Sequence, residues 1–161
     1  MDYDILDSIW GPFLLASDHG KLCILDYQQG PKPRPILSTW QRNPSALTLS
    51  KKWLISYLAG KRPILDIPLH PQGTPFQIAI WNHLLTIPYG KTVSYHDIAS
   101  AMGKPQAVRA VGNAIGQNPI QILIPCHRVI GKNGELRGYA AGLDMKKRLL
   151  DLEGYRQVSS L

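Results

Sequence analysis

The sequence predicts an α+β protein, with a small α/β unit first and a mainly helical unit after it. Three observations carry this. Two apolar runs, Pro12 to Ser17 and Lys21 to Tyr27, flank Asp18-His19-Gly20, the pattern of a β-hairpin. Residues 68–75 (PLHPQGTP) place three prolines and a glycine in eight positions, which favours an extended linker. Beyond that linker, apolar residues recur at helical spacing.

The elements follow in order. Residues 28–35 (QQGPKPRP) cannot hold a helix or a central strand and read as a surface loop. From Ala46 to Leu58, apolar Leu47, Leu54, Ile55 and Leu58 with Gly60 as the stop predict a helix. Ile64 to Ile67 reads as one more strand. The division expected is a unit over 1–67, a linker over 68–75 and a second unit over 76–161. Thr74-Pro75 combines an N-cap with proline at the first helical position. Phe76, Ile80 and Leu84, flanked by Trp81 and Leu85, form the buried stripe of a helix expected to run to Ile87, where Pro88-Tyr89-Gly90 ends it.

Ser94 can cap a short helix from Tyr95 to Met102. Gly103-Lys104-Pro105 is a turn, and Gln106 to Ile115 reads as a second short helix. Two short helices joined by a tight turn form a helix-turn-helix. The second is rich in small residues (AVRAVGNAIG), with one long cation, Arg109, projecting from it. That suits shape-based contact with a minor groove rather than base reading in a major groove. Ile120 to Ile124, closed by Pro125, reads as a buried strand. Val129-Ile130 precede an Asn-Gly type turn over 131–134. Residues 137–142 (RGYAAG) form a loop of small residues around one aromatic, and a last helix runs from Leu143 to Glu153, closed by Gly154.

The 161 residues carry a net charge of +7, unevenly spread. From Thr74 onward there are 10 Lys and Arg against 5 Asp and Glu. A basic half suggests a polyanionic partner such as nucleic acid. No apolar run approaches the ~20 residues of a membrane helix. The acidic start, Met1-Asp2-Tyr3-Asp4, reads against a secretory signal, and two cysteines without a CxxC pair read against a disulfide scaffold or structural zinc. The expectation is a cytoplasmic protein with free thiols.

The stretch Ile124-Pro125-Cys126-His127-Arg128-Val129 puts a thiol, an imidazole and a guanidinium side by side. At its reference pKa of about 8.5 a thiol is only a few per cent thiolate at neutral pH, so a reactive cysteine needs a base or a positive field nearby. His127 and Arg128 are groups of both kinds. Neighbouring side chains on extended backbone point opposite ways, so a bridging water, rather than direct contact, is the expected link between thiol and imidazole. The orienting acid could be Asp97, Glu135, Asp144, Asp151 or Glu153, and spacing alone does not choose among them.

These residues resemble the O6-alkylguanine-DNA alkyltransferase family. The similarity covers roughly 74–156: TPFQIAIW, PYGKTVSYHDIA, AVRAVGNAIGQNP, IPCHRVIG, NGELRGYAAGL and LLDLEG. The resemblance implies a ribonuclease-H-like N-terminal domain of largely structural role and a winged-helix-like DNA-binding domain. It implies irreversible, single-turnover transfer of an alkyl group from O6-alkylguanine, and from O4-alkylthymine, to Cys126. His127 would be the base acting through water, with Glu153 orienting it. Asn118 would be the hinge, and Tyr95 would rotate the target phosphate and donate to the guanine. Arg109 would fill the gap left by the extruded nucleotide. Lys104, Lys132 and Arg128 would add DNA contacts, and Tyr139, Val129, Ala140 and Ala141 would form the base pocket. The implied partner is duplex DNA carrying the lesion. No cofactor, metal, membrane or obligate protein partner is implied, and the protein would act as a monomer.

Two positions depart from the family pattern. Ala141 stands where glycine is common, and its methyl is expected to narrow the pocket against bulky adducts. Arg137 stands where a small or neutral residue is common. Three other readings compete: a non-catalytic binder of alkylated DNA that recruits repair factors, a helix-turn-helix regulator, and a cysteine hydrolase. The acceptor cysteine argues against the first, and the lack of a visible dimerisation segment against the second. The adjacent Cys-His argues against the third, whose histidine is normally distant in sequence.

Overall fold

The computed structural model describes residues 1–155. The chain forms two compact units. The first contains Met1–Gln72 together with Pro119–Leu123. The second contains Gly73–Asn118 and, among the described residues, 124–155. The segment 119–123 thus leaves the second unit and belongs with the first.

The first unit is built on a four-stranded sheet in the order β3-β2-β1-β4, from β1 (Asp2–Ser8), β2 (Gly11–Asp18), β3 (Lys21–Tyr27) and β4 (Gln41–Arg42). β1, β2 and β3 form an antiparallel meander, and β4 lies parallel to β1. The turn between β2 and β3 has positive φ at both His19 (49°) and Gly20 (76°), the twist that a tight hairpin requires. β2 and β3 are buried almost continuously rather than at alternate positions, because both faces of the sheet are covered. Leu14, Ala16, Cys23 and Ile24 pack on one face with Tyr3, Ile5 and Trp40. A 3-10 turn over Pro44–Leu47 packs against β1 and β2 and leads into α1 (Thr48–Leu58), which buries Leu54, Tyr57 and Leu58.

Three sequence expectations change here. The sheet starts at Asp2, not Pro12: β1 is absent from the expected elements because its alternation breaks at Leu6 and its one fully buried residue is polar, Asp4, bonded to Arg42 and Lys51. Residues 64–67 are not a strand. The pairing falls at Leu69, where the Pro68 carbonyl accepts from Leu22 N and His70 N donates to Leu22 O. Residues 120–124 are not a strand either. Ile120 alone bridges Leu25, and the chain then turns through Ile122, whose φ is 70°.

In the second unit, α2 (Pro75–Leu84) begins at a capping box between Thr74 and Gln77, and ends short of the expected Ile87. It buries Ile80, Trp81 and Leu84, while Leu85 is exposed. A second capping box, Ser94 with Asp97, starts α3 (Tyr95–Ala101). α4 (Val108–Gly116) starts two residues later than expected, because Ala107 N bonds back to Lys104 O in the turn after Pro105. The Trp81 indole donates to the Ala114 carbonyl at 2.8 Å and ties α2 to α4. β5 (Val93–Ser94) and β6 (Val129–Ile130) pair in parallel, and α5 (Leu143–Leu152) closes with Glu153 as C-cap and Gly154 at φ 86°.

Candidate active site

The site lies within the second unit, on a one-turn 3-10 helix, Cys126–Arg128. Pro125, at φ −80° and ψ 63°, turns the chain into it, and Cys126 N bonds to Ile124 O across that turn. Cys126 is 5 % exposed. The Asn118 amide donates to Ile124 O at 2.8 Å and to Cys126 Sγ at 3.1 Å, so one side chain fixes both the backbone and the sulfur. Burial pushes the Cys126 thiol pKa up; the Asn118 bond, the Lys146 charge and the Tyr139 hydroxyl pull the other way.

His127 reaches Glu153, the C-cap of α5. Its Nε2 lies 2.7 Å from Glu153 Oε2, with both side chains fully buried. An ionised carboxylate only accepts, so Nε2 carries the proton and Nδ1 is the basic nitrogen. Burial holds the His127 pKa down, against the pull of Glu153, which keeps the ring neutral and able to take a proton. Among the acids that sequence spacing leaves open, Glu153 is the one that meets His127.

Glu153 is shared. Arg128 Nε and Nη2 donate to its two oxygens at 2.8 and 3.0 Å, Gly90 N donates to Oε1 at 3.0 Å, and Arg128 Nη1 donates to the Ile87 carbonyl at 2.7 Å. Gly90 is required there: its φ is 76°, and a Cβ would stand 3.0 Å from the Glu153 carbonyl oxygen. Arg128 is the residue to which the resemblance assigns a DNA contact. Its guanidinium is committed to Glu153 and Ile87, and its side chain is 11 % exposed.

Tyr95 opens α3, half-buried, with its hydroxyl 3.4 Å from Lys146 Nζ. Lys146 also donates to the Arg137 carbonyl at 2.7 Å. This lysine is fully buried, and burial brings its pKa down to about 8, against the opposing charge of Cys126. Sequence reasoning missed it. The signal was present: Lys146 shares the spacing of Leu149, Leu150 and Glu153 on the inward face of α5, where a lysine needs a reason.

Tyr95, Val108, Arg109, Gly112, Lys132 and Tyr139 help line a cavity of about 730 Å³, together with Gly131, Arg137 and Gly138. Arg109 and Lys132 are exposed. Lys104 is exposed in the turn between α3 and α4, with Nζ 5.2 Å from the Phe76 ring centre. Of the four expected pocket residues only Tyr139 is on the cavity wall. Val129 is wholly buried in its pairing with Val93, Ala141 is 5 % exposed, turned inward ahead of α5, and Ala140 also lies outside the lining. Arg137 is the departure from the family pattern that lines the cavity.

A buried thiol set by an amide, a histidine oriented by a carboxylate and an open cavity rimmed by cations beside a pair of short helices can serve as a cysteine nucleophile and a surface for a large anionic partner. Comparison with known proteins narrows this. The 6-O-methylguanine DNA methyltransferase DNA-binding domain matches residues 75–155, and the ribonuclease-like domain of the same family matches residues 1–71. The chain belongs to the 6-O-methylguanine DNA methyltransferase family. It is 46 % identical over 154 residues to the methylated-DNA–protein-cysteine methyltransferase of Methanosarcina acetivorans, covering 96 % of this chain and 99 % of that one. It is 43 % identical over 159 residues to the protein of that name from Mycobacterium bovis, covering 99 % and 96 %. A crystal structure of Mycobacterium tuberculosis OGT in complex with DNA superposes with a TM-score of 0.88 at 42 % identity, covering 95 % of this chain and 92 % of that chain.

Proposed function

We propose that this chain repairs alkylated DNA by direct reversal: it is a methylated-DNA–protein-cysteine methyltransferase that moves the alkyl group of O6-alkylguanine to Cys126 and is spent in doing so. The O6 substituent sits inside the duplex, so the base must leave the stack before chemistry, and a poorly paired base leaves at lower cost. The cavity between Tyr95, Val108 and Tyr139 is large enough to receive it. The small residues of α4 let a DNA backbone approach, and Arg109 occupies the vacated position.

The Cys126 proton passes through water to Nδ1 of His127, and Glu153 holds the resulting imidazolium. The thiolate attacks the sp³ alkyl carbon, a C–S bond forms, and the C–O6 bond breaks with its electron pair on guanine. That charge is met by the Tyr95 hydroxyl, and Lys146 behind it supplies the positive field and the proton. The thioether product is stable to water, so the protein acts once. The chain's own side chains supply each of these roles, so no cofactor is invoked. The protein works as a monomer in the cytoplasm, where its thiols stay reduced; among the described residues no helix is long and apolar enough to cross a membrane.

The observation that carries this reading is the Asn118–Cys126 bond beside the His127–Glu153 pair. Intact mass after incubation with a duplex carrying one O6-methylguanine tests it. A gain of one methyl on the native protein, saturating at one per chain and absent in Cys126→Ala, is the expected result. Binding of the lesion without mass gain would favour a recognition role.

A further inference from the structure

Asp26 is a buried carboxylate that the chemistry above does not use. It lies on β3 and is 2 % exposed. Gln121 Nε2 donates to its Oδ1 at 3.0 Å; Gln28 Nε2 and Arg34 N each donate to Oδ2 at 2.9 Å. The Gln121 Oε1 in turn accepts from Tyr27 N at 2.9 Å. Backbone bonds Leu25 N to Pro119 O and Gln121 N to Leu25 O hold the same segment on the strand edge.

This segment is under strain. Ile122 is β-branched yet has φ 70°, and Leu123 N bonds to Gln121 O across it, a γ-turn of the rare positive-φ kind. Such a turn persists only where its surroundings over-determine it. Four residues after Ile122 the chain reaches Cys126. Asn118, which fixes the sulfur, is the residue just before Pro119.

We propose that Asp26 and Gln121 are positioning residues for Cys126: their buried hydrogen bond holds the strained 119–123 turn and thereby sets where the chain delivers the thiol and its Asn118 partner. This rests on Cys126 being the alkyl acceptor. A nucleophile displaced by about 1 Å loses roughly 10²-fold in rate.

The test uses a reciprocal exchange. Gln121→Glu places a carboxylate against Asp26 and breaks the bond. Asp26→Asn combined with Gln121→Glu restores the hydrogen bonds among positions 26, 121, 27, 28 and 34 with the central donor reversed, and gives up the 3.9 Å pairing of Arg34 Nε with Asp26 Oδ1. The new amide at position 26 donates through its nitrogen to the new carboxylate at position 121, and its oxygen accepts from Gln28 and Arg34 N. The carboxylate at position 121 still accepts from Tyr27 N. The measurements are the single-turnover methyl-transfer rate at saturating duplex, the DNA affinity and the melting temperature. The Gln121→Glu variant is expected to transfer about 10- to 100-fold more slowly with DNA affinity within about twofold of native, and the double variant to recover most of that rate. Native transfer rates in Gln121→Glu, or a slow double variant of native melting temperature, would overturn the proposal. If the native protein itself gains no methyl, the acceptor assignment falls first and the inference with it.

Discussion

Nε2 of His127 stands 2.7 Å from Oε2 of Glu153, at the C-terminal end of α5. A carboxylate is electrostatically disfavoured at that end of a helix. It is held because four donors converge on it: His127, two nitrogens of Arg128 and the Gly90 amide. One group thus fixes the histidine tautomer and anchors the last helix.

Glu153→Gln removes the charge that Arg128 and His127 share. Breaking a buried ion pair from one side costs about 3–5 kcal/mol, because the remaining charge is left without compensation. Urea denaturation is expected to show a loss of about 3 kcal/mol. The methyl-transfer rate is expected to fall by about 100-fold, within the range for losing general-base assistance in this class of step. Full retention of the rate would show that His127 needs no orienting acid.

Lys146 makes a prediction about pH. Its ammonium titrates near 10.5 in the unfolded chain and at about 8 in the folded protein. Between these values the unfolded state binds more protons, so this group's contribution to the unfolding free energy rises with pH from about 8 to about 10.5 and is flat below 8. The full change is about 3 kcal/mol. Cys126 works with the opposite sign, since its raised pKa favours the folded state at low pH and that advantage is lost as pH rises through the folded value. Comparing the native protein with Lys146→Met isolates the lysine. The native-minus-variant difference in stability is expected to climb between about pH 8 and 10, while the variant transfers methyl more slowly because Tyr95 has lost its partner. A difference that stays level with pH would mean that Lys146 is not buried as a cation.

Trp81 carries a stability prediction. Its indole reaches the Ala114 carbonyl in the core of the second unit. Trp81→Phe keeps the apolar contact with α4 but leaves that carbonyl without its donor, at a cost of about 1–3 kcal/mol. The measure is the melting temperature together with the methyl-transfer rate at saturating duplex. The first is expected to fall and the second to hold, since Trp81 is on neither the Cys126 turn nor the cavity wall.

Local signals wrote much of this fold into the sequence. Thr74-Pro75 and Ser94 announce α2 and α3 because a cap needs only residues three apart, and Asp18-His19-Gly20 announces a hairpin because φ > 0 is a local demand. The string around Cys126 was legible by resemblance, and Glu153 was one of five acids until the structure put it against His127. What failed was non-local. Residues 120–124 read as a strand because an apolar run has no visible partner; in the structure Gln121 is captured by Asp26, 95 positions away, and the chain turns instead. Arg128 shows its charge in the sequence, but not the Glu153 carboxylate that it meets in the fold. Lys146 was passed over because its burial depends on Tyr95 and Arg137, which only the fold brings together.

Arg109 and Lys132 both line the cavity and both are exposed, yet the two cations are expected to act differently. A cation that neutralises a phosphate releases counterions, so its removal lowers affinity and reduces the salt dependence of binding by about one charge. A side chain that fills the place of an extruded nucleotide acts on the extruded state, and its loss shows in the transfer rate at saturating duplex. Lys132→Ala is expected to flatten the plot of log affinity against log salt by about one unit of slope and leave the saturated rate unchanged. Arg109→Ala is expected to change that slope little and to slow saturated transfer by about tenfold, the share of a flipping cost of a few kcal/mol that one inserted side chain can offset. A duplex in which the O6-methylguanine lies opposite an abasic site lowers the extrusion cost by itself, so the Arg109→Ala defect should shrink on that substrate. If the defect persists there and the salt slope falls instead, Arg109 is a phosphate contact and the extruded base is held in place by other residues.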